Sequence, residues 1–307
     1  MTFEISTFVK SQVALALLLL AAGASAEPNV TRGRAEVYKQ LDPRSLEAVS
    51  SPEQIRGLIA PNVPPTRIWK VLEHGEKLEC LACVPDVAKL LYNSNAKTRE
   101  ISAWWLRRRI FGVFGPGQVY QQTLETLKSD ESESRRAYAA NALGEFLTVG
   151  GVAALSQALA KDSSAMVRLA AVRGLERLNS SGQDGELTLA LGDGAEEVRL
   201  AALHAATRIN SYTDVEAVVA LVSDSSALVR RRAAETLGVM KAADAVVGLI
   251  ALASPDEESD PSVRAAAVWA LGQIGDPEAR DAILDARRDS DPSVQSAAAV
   301  ASRLLRL

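Results

Sequence analysis

Histidine and cysteine are the scarce residues of this chain, which has only two of each among its 307 residues. The two histidines, His74 and His204, lie far apart in the sequence. With so few imidazoles, no Ser-His-Asp arrangement can be proposed, and no glycine-rich phosphate loop is present. Scattered carboxylates in the turns are better explained as helix caps. We therefore expect no catalytic residue, no metal site and no cofactor.

Positive charge is not in excess either. The chain has 34 lysines and arginines against 38 aspartates and glutamates, which gives a formal net charge of -4. Broad nucleic-acid binding needs an excess of basic residues to displace counterions. The composition therefore argues against a nucleic-acid partner, although local basic clusters could still contact a protein.

Long apolar runs are absent except near the N-terminus. Lys10 precedes an apolar run over residues 13–22, and Ala24-Ser25-Ala26 follows with the small-x-small pattern of a cleavage site. The run is too short to span a bilayer comfortably. We predict a signal peptide over residues 1–26 and a mature protein that is exported, periplasmic or extracellular, without stable membrane insertion.

Prolines set the next segment apart. They are scattered among polar residues over 27–65, which we interpret as an extended N-terminal arm with one short helix near residues 52–60. Pro64-Pro65 marks the predicted boundary. A capping region with the first repeat is expected over 66–128, beginning with a helix over residues 66–73, and a repeat array over 129–307.

The dominant feature of the chain is a repeated phrase, clearest as Val229-Arg230-x-x-Ala233-Ala234-x-x-Leu237-Gly238. Six copies lie between residues 98 and 272, and an incomplete seventh begins at Val294-Gln295. The second residues of successive copies are 37, 32, 31, 31, 34 and 31 residues apart. Periods of this length are typical of solenoids.

Each copy of the phrase has the periodicity of a helix. Its apolar residues fall at positions 0, 4, 5 and 8, and strand patterns are nearly absent. Asp-Pro pairs before the later copies favour helix starts, and a second apolar helix lies between copies. We expect the glycines near the ends of the phrases to end helices in the left-handed conformation. These glycines are Gly144, Gly238, Gly272 and Gly275.

The repeated Asp followed by Val-Arg-x-x-Ala-Ala-x-x-Leu-Gly resembles HEAT repeats of the short type found in phycobilin lyase subunits. The resemblance covers residues 98–307 and extends toward 66. It implies an all-α fold, a right-handed α-solenoid of about six to seven helical hairpins, whose Val-Arg helices line the concave surface. It also implies a structural ladder between units, formed by Asp130, Asp162, Asp193, Asp224 and Asp260 with Arg136, Arg168, Arg199, Arg230 and Arg264.

HEAT repeats serve many scaffolds, so the resemblance says little about function. Deoxyhypusine hydroxylase resembles this architecture and holds iron through His-Glu pairs, but here His74 and His204 are followed by Gly75 and Ala205. The resemblance to lyases transfers no catalytic residue. We predict an exported, non-catalytic scaffold that binds a protein or peptide. A redox or cofactor-linked accessory protein, or a lyase or oxidoreductase-related protein, is the alternative.

The only two cysteines form a Cys-x-x-Cys pair, Cys80 and Cys83. In an oxidising compartment such a pair usually closes into a disulfide, which here would fix a helix start. A redox-active pair is the alternative, although it normally lies at the strand-to-helix junction of a thioredoxin-like fold. Haem attachment would need a histidine at position 84, which is valine.

The partner is expected on the face of the Val-Arg helices that points away from the apolar stripe. Position 6 of each copy is opposite the stripe, and long basic or aromatic residues lie beside it. An acidic or extended polypeptide segment is the expected occupant, and the alternative is that the tryptophans pack between helices. The candidate partner-binding residues are Trp104, Arg107, Tyr138, Asn141, Arg173, His204, Arg208, Arg231, Glu235 and Trp269.

An apolar loop over residues 111–117 departs from the short turns elsewhere. It contains three glycines, a proline and two phenylalanines, and it follows the basic run Arg107-Arg108-Arg109. One interpretation is a cap folded under the segment of Cys80 and Cys83, since terminal repeats need a modified outer face. The other is a contact with a partner or a membrane surface.

Overall fold

The computed structural model describes residues 50–112, 115–179, 184–209 and 212–307. The predicted signal peptide and residues 27–49 of the predicted arm lie outside the described residues. The described residues belong to one compact unit that begins at Ser50. None of the described helices is both long enough and apolar enough to cross a membrane.

Helices account for nearly all the regular structure in the described part of the chain. Two strands of two residues each, β1 (Phe111–Gly112) and β2 (Gly115–Pro116), form a minimal antiparallel pair. The α-helices are α1 Pro52–Arg56, α2 Pro65–His74, α3 Val84–Lys89, α4 Ala96–Arg107, α5 Gln118–Ser129, α6 Glu133–Glu145, α7 Val152–Lys161, α8 Ala165–Leu178, α9 Asp184–Leu191, α10 Glu196–Ala206, α11 Val215–Val219, α12 Ala227–Met240, α13 Val246–Ala253, α14 Pro261–Ile274, α15 Arg280–Ala286 and α16 Pro292–Leu305.

From α3 onward the helices alternate as first and second members of hairpins. The repeated phrase forms the second helices, which are α4, α6, α8, α10, α12, α14 and α16. Each second helix packs against its own first helix and against the next second helix along the array. The all-helical solenoid is thus confirmed, with seven hairpins among the described residues. Short 3-10 turns precede or extend several first helices, as at Ala220–Ser223 after α11.

The repeated phrase forms helices because its apolar positions fall on one stripe. Val229, Ala233, Ala234 and Leu237 are all fully buried in α12, and most of the matching positions are buried in the other second helices. Burying apolar surface drives the stacking, since one hairpin cannot cover its own stripe. The result is a continuous core that runs along the array.

Helix starts follow the expected Asp-Pro signal. Asp260 accepts a hydrogen bond from the Ser262 backbone N–H at 2.8 Å, with Pro261 in the first turn of α14. The same arrangement begins α16, where the carboxylate of Asp291 accepts from the Ser293 N–H at 2.8 Å. These carboxylates satisfy backbone donors that have no partner within the helix.

The predicted role of the glycines is right only at Gly275. That residue ends α14 in the left-handed conformation, with φ of 80°. Gly144, Gly238 and Gly272 instead lie inside helices, where the next second helix approaches closely. A β-carbon at Gly238 would lie 2.9 Å from the Ala270 Cα, and one at Gly272 would lie 2.8 Å from the Ala301 Cα. These glycines permit close helix packing.

The N-terminal part of the unit is more compact than an extended arm. The predicted short helix is present as α1 and a 3-10 turn over Gly57–Ile59, and α2 confirms the helix expected after Pro64. Ile55 is fully buried, and the Ser50 hydroxyl donates to the Val71 carbonyl at 3.0 Å. The packed structure therefore begins before the predicted boundary at residue 65, because apolar residues of α1 cover α2.

A ladder of ion pairs joins consecutive second-helix starts. Each ladder arginine binds a carboxylate about one repeat further along the chain, with nitrogen–oxygen distances between 2.6 and 3.0 Å. The five pairs are Arg136 with Asp162, Arg168 with Asp193, Arg199 with Asp224, Arg230 with Glu258, and Arg264 with Asp289.

Two predicted ladder residues have other roles. Asp260 caps α14, and the carboxylate that binds Arg230 is Glu258, two residues earlier in the longer turn. Asp130 binds Arg135 of its own repeat at 2.7 Å. Arg99, which could have bound it, instead lies with its guanidinium 3.8 Å from the centre of the Tyr138 ring.

The ladder arginines also hold the turns that precede their own helices. In Arg168, for example, Nη1 donates to the carbonyls of Asp162 and Ser163, both at 3.0 Å. Neutral residues occupy the two ends of this pattern. Asn93 takes the position of the carboxylate before α4, and Gln295 takes that of the arginine in α16, where its amide donates to the Asp289 carbonyl at 2.7 Å. Neither end leaves a buried charge unpaired.

The ladder carboxylates are stabilised in their charged form. Burial alone would raise the pKa of Asp162 and Asp193, but hydrogen bonds from Arg136 and Arg168, and from backbone N–H groups, hold the pKa of each below its ordinary value. Hydrogen bonds from Arg230 and Arg264 lower the pKa of Glu258 and Asp289. The arginines of the ladder are therefore held in place by their carboxylate partners.

Candidate binding groove

The second helices do not pack equally closely along the array. Packing is extensive in three pairs of second helices, α6 with α8, α12 with α14, and α14 with α16. It is less extensive in the other three pairs, α4 with α6, α8 with α10, and α10 with α12. One position of the phrase, eight residues after the ladder arginine, follows this division. It is glycine in α6, α12 and α14, whereas α4, α8 and α10 carry Arg107, Glu176 and Thr207. Larger side chains here accompany wider spacing.

A large cavity lies where the spacing is wide. It has a volume of about 850 Å³ and is lined by residues of α6, α8, α10 and α12. This volume is within the range of typical ligand-binding clefts. The lining residues are Asn141, Arg173, Glu176, Arg177, Glu197, Leu200, Ala201, His204, Arg208 and Arg232.

A smaller cavity of about 190 Å³ adjoins the first. It lies among α4, α6 and α8, and it shares Asn141, Arg173 and Arg177 with the large cavity. Its other lining residues are Leu91, Ala96, Arg99, Glu100, Ala103, Tyr138, Ala142 and Glu145. We call the two cavities together the groove.

Several charged residues of the groove form ion pairs. Arg177 pairs with Glu145, and Glu176 binds both Arg208 at 2.8 Å and His204 at 3.2 Å. Arg232 donates to Glu235 at 2.8 Å. Arg173 is different, because it is exposed and has no hydrogen-bonded or ion-paired partner among the described residues. It is also one of the residues that face both cavities.

Glu145 is the most deeply placed carboxylate of the groove. Burial raises its pKa, while the nearby positive charge of Arg177 opposes the shift, and its side chain is only 13% exposed. The positive charge of Arg177 therefore stabilises the ionised form of this buried carboxylate.

A family comparison agrees with the repeat pattern. A model described as HEAT repeats matches residues 120–187, 185–259 and 256–304, which together cover more than half of the chain. The chain belongs to the HEAT-repeat family. No curated protein sequence matches it significantly.

The chain is also similar to solved structures at low sequence identity. The Escherichia coli protein YibA is 19% identical, with a TM-score of 0.57 over 85% of this chain and 95% of YibA. An engineered protein is also 19% identical, with a TM-score of 0.51 over 89% of this chain and 77% of the engineered one. The phycocyanin lyase complex of CpcE and CpcF from Nostoc is 19% identical, with a TM-score of 0.39 over 72% and 94% of the two chains.

Within this HEAT-repeat array, the structure brings half of the predicted partner-binding residues together. Tyr138, Asn141, Arg173, His204 and Arg208 line the groove. The other five predicted residues, Trp104, Arg107, Arg231, Glu235 and Trp269, line neither cavity of the groove.

The two tryptophans of the predicted row are partly buried against the core. A β-carbon at Gly238 would lie 2.7 Å from Cζ3 of Trp269, so the indole covers the glycine of the preceding second helix. In α4 the cavity is lined by Ala103 rather than by its neighbour Trp104. For Trp269, the alternative that the tryptophans pack between helices therefore fits better than a role in a free binding surface.

Several groove residues were missed by the sequence pattern. In α10 the cavity is lined by Glu197, Leu200, Ala201, His204 and Arg208, which form one stripe at helical spacing. The prediction used only the last two of these. Extending the stripe toward the N-terminus of the helix by two turns would have identified the other three.

The two cysteines form the expected disulfide, with their Cα atoms 5.3 Å apart. Cys80 is 7% exposed and Cys83 is fully buried. The pair precedes α3, as expected for a bond that fixes a helix start. Because thiol-disulfide exchange needs access to a sulfur atom, this burial favours the structural interpretation over the redox one. No group of three or more potential metal-binding side chains occurs within the described ranges.

Arg109, just before the apolar loop, contacts the segment that precedes Cys80, and Phe111, at the start of the loop, contacts α5. Arg109 donates to the carbonyls of Glu76 at 2.5 Å and Leu78 at 2.8 Å, and its guanidinium lies 3.7 Å from the centre of the buried Trp105 ring. The Phe111 ring lies 5.4 Å from that of Tyr120. These contacts favour the cap over a membrane contact, and residues 113–114 lie outside the described part.

Proposed function

We propose that this protein is a non-catalytic scaffold whose groove binds an extended polypeptide segment of a partner protein. The observation that supports the proposal is the continuous groove along α4, α6, α8, α10 and α12. Arg173, which has no partner among the residues that the structure describes, lies where the two cavities meet. Extended segments suit such a surface, because it crosses several repeats and offers polar side chains along its length.

The charge of the groove supports an acidic segment. The large cavity is lined by four arginines and two glutamates, although the chain as a whole has a net charge of -4. A local excess of positive charge in a negative molecule attracts a complementary partner and disfavours others. Arginine is also a favoured anchor in protein interfaces.

Export is the second part of the proposal, and it is supported by the apolar run and small-x-small pattern of residues 13–26. N-terminal sequencing of the protein recovered from its native cell tests it. We expect the mature chain to begin at Glu27 and to be recovered outside the cytoplasm. A chain that retains Met1 and remains in the cytoplasm would contradict export.

The binding role is tested by capture of native partners on the immobilised protein, followed by mass spectrometry. The test variant is Arg173→Glu, and the matched control is Arg287→Glu, which reverses an exposed arginine of the turn after α15. We expect a partner that is captured by the wild type and the control and is lost with Arg173→Glu. A protein that captures nothing, or captures equally with all three, would contradict a role for the groove.

A further inference from the structure

We infer that the partner segment places one carboxylate side chain on Arg173, with an adjacent small apolar side chain in the smaller cavity. This inference rests on the proposed function and specifies the chemistry that the groove recognises. It commits to an acidic segment of a protein rather than to a nucleic acid or another continuous polyanion.

Arg173 is singled out by the state of its neighbours. Arg177, Arg208 and Arg232 each have a glutamate partner within hydrogen-bond distance or closer, so a ligand would have to displace that glutamate. Arg173 has no such partner in the described ranges of the chain, and its guanidinium is exposed. A carboxylate can bind a free guanidinium through two parallel hydrogen bonds, which adds both energy and a defined orientation.

The glutamates of the groove limit the charge of the ligand. Glu176 and Glu197 line the large cavity, and Glu100 and Glu145 line the small one. A polyanion that follows the groove would bring phosphates or sulfates close to all four, and like charges at such distances are unfavourable. A segment with a single acidic group at Arg173 avoids this repulsion.

The small cavity adds a second element of recognition. Leu91, Ala103 and Ala142 give it a partly apolar wall, and Tyr138 lies beside them with its ring covered by the guanidinium of Arg99. Its volume of about 190 Å³ is much smaller than the 850 Å³ of the large cavity, which suits one small side chain. Because Arg173 also lines this cavity, the acidic and the apolar side chains would be neighbours in the bound segment.

The test uses synthetic peptides with fluorescence anisotropy on the purified full-length mature protein. The probe is a fluorescein-labelled peptide with one Glu-Val pair in a Gly-Ser background, and the matched peptide carries Gln-Val. We expect the glutamate peptide to bind about tenfold more tightly than the glutamine peptide, as for one charged hydrogen-bonded pair. The variant Arg173→Gln should remove this difference, whereas Arg287→Gln should keep it.

Any of three results with the peptides would overturn the inference. These are equal binding of the two peptides to the wild type, no binding of either, or the same glutamate preference in Arg173→Gln. Tight binding of heparin that is weakened equally by Arg173→Gln and Arg287→Gln would also overturn it, because it would indicate general attraction of polyanions. The capture experiment with Arg173→Glu tests the proposed function independently. Loss of a native partner in that experiment would support the groove as a binding site even if the peptide results contradict this inference.

Discussion

Two of the three arginines in helix α8 have opposite surroundings. Arg168, near its start, binds both oxygens of Asp193 at 2.6 and 2.8 Å and is 19% exposed. Arg173, five residues later, is exposed in the groove and has no partner in the described part of the chain. The same residue type thus supports the fold on one edge of the array and is available to a ligand on the other.

The repeated arginine of the ladder and the variable residue of the groove therefore have different roles. The ladder arginine recurs because each repeat must join the next, and its carboxylate partner lies about one repeat away. The groove position varies along the array, with Asn141, Arg173 and His204 in consecutive second helices. Variation of this kind can specify a partner without changing how the repeats stack.

Breaking the ladder should have the largest effect. Arg264→Met leaves the carboxylate of Asp289, which is 2% exposed, without its ion-pair partner. We expect the free energy of unfolding to fall by about 3–5 kcal/mol, measured by urea denaturation. The control is Arg288→Met, which removes an ion pair whose side chains are 84% and 79% exposed. Equal losses in the two variants would contradict a structural ladder.

Separating two closely packed second helices should have a smaller effect. In Gly238→Ala the new β-carbon would meet Trp269 and Ala270, so α12 and α14 must move apart, and we expect a loss of about 1–3 kcal/mol. Gly185→Ala in α9 is the control, because no atom lies within 4 Å of its β-carbon position. Thermal unfolding followed by circular dichroism measures both. A neutral Gly238→Ala would show that glycine does not determine the spacing.

Acid should weaken the ladder, because its carboxylates lose their charge when they are protonated. The pKa of Asp289 is lowered from its ordinary value of 3.8 by the hydrogen bond from Arg264, so its contribution is present above that value and is lost as the pH falls through the lower, folded-state value. The stability gap between wild type and Asp289→Asn should therefore narrow as the pH falls below about 4. A gap that is unchanged in acid would contradict the ionic nature of this pair.

The fold could be predicted from the sequence because it depends on local periodicity, as the buried stripe of α12 illustrates. The ladder could be predicted only in part. Asp260 looked like a ladder residue because the resemblance to HEAT repeats implies an aspartate before each Val-Arg helix, but the carboxylate that binds Arg230 is that of Glu258. Their spacing distinguishes them, because each ladder carboxylate lies six residues before the arginine or glutamine of the next copy. Glu258 has this spacing from Arg264, whereas Asp260 lies only four residues before it.

The groove was harder to predict because its depth depends on the distance between helices. Position 6 identified Arg173 and His204, which line the groove, but it also identified Trp269, which covers Gly238 where the helices are close. The spacing depends on contacts between repeats, such as that of Gly238 with Ala270, that a single repeat does not reveal. Comparing the residue at this one position across the repeats would have indicated which interfaces are open.

The most direct test of the account compares Arg168→Gln with Arg173→Gln in one experiment that measures both thermal stability and capture of the native partner. We predict that Arg168→Gln lowers the unfolding temperature while the molecules that remain folded still capture the partner. We predict that Arg173→Gln keeps the wild-type unfolding temperature and loses capture. If Arg173→Gln unfolds as readily as Arg168→Gln, or captures as well as the wild type, the distinction between ladder and groove is contradicted.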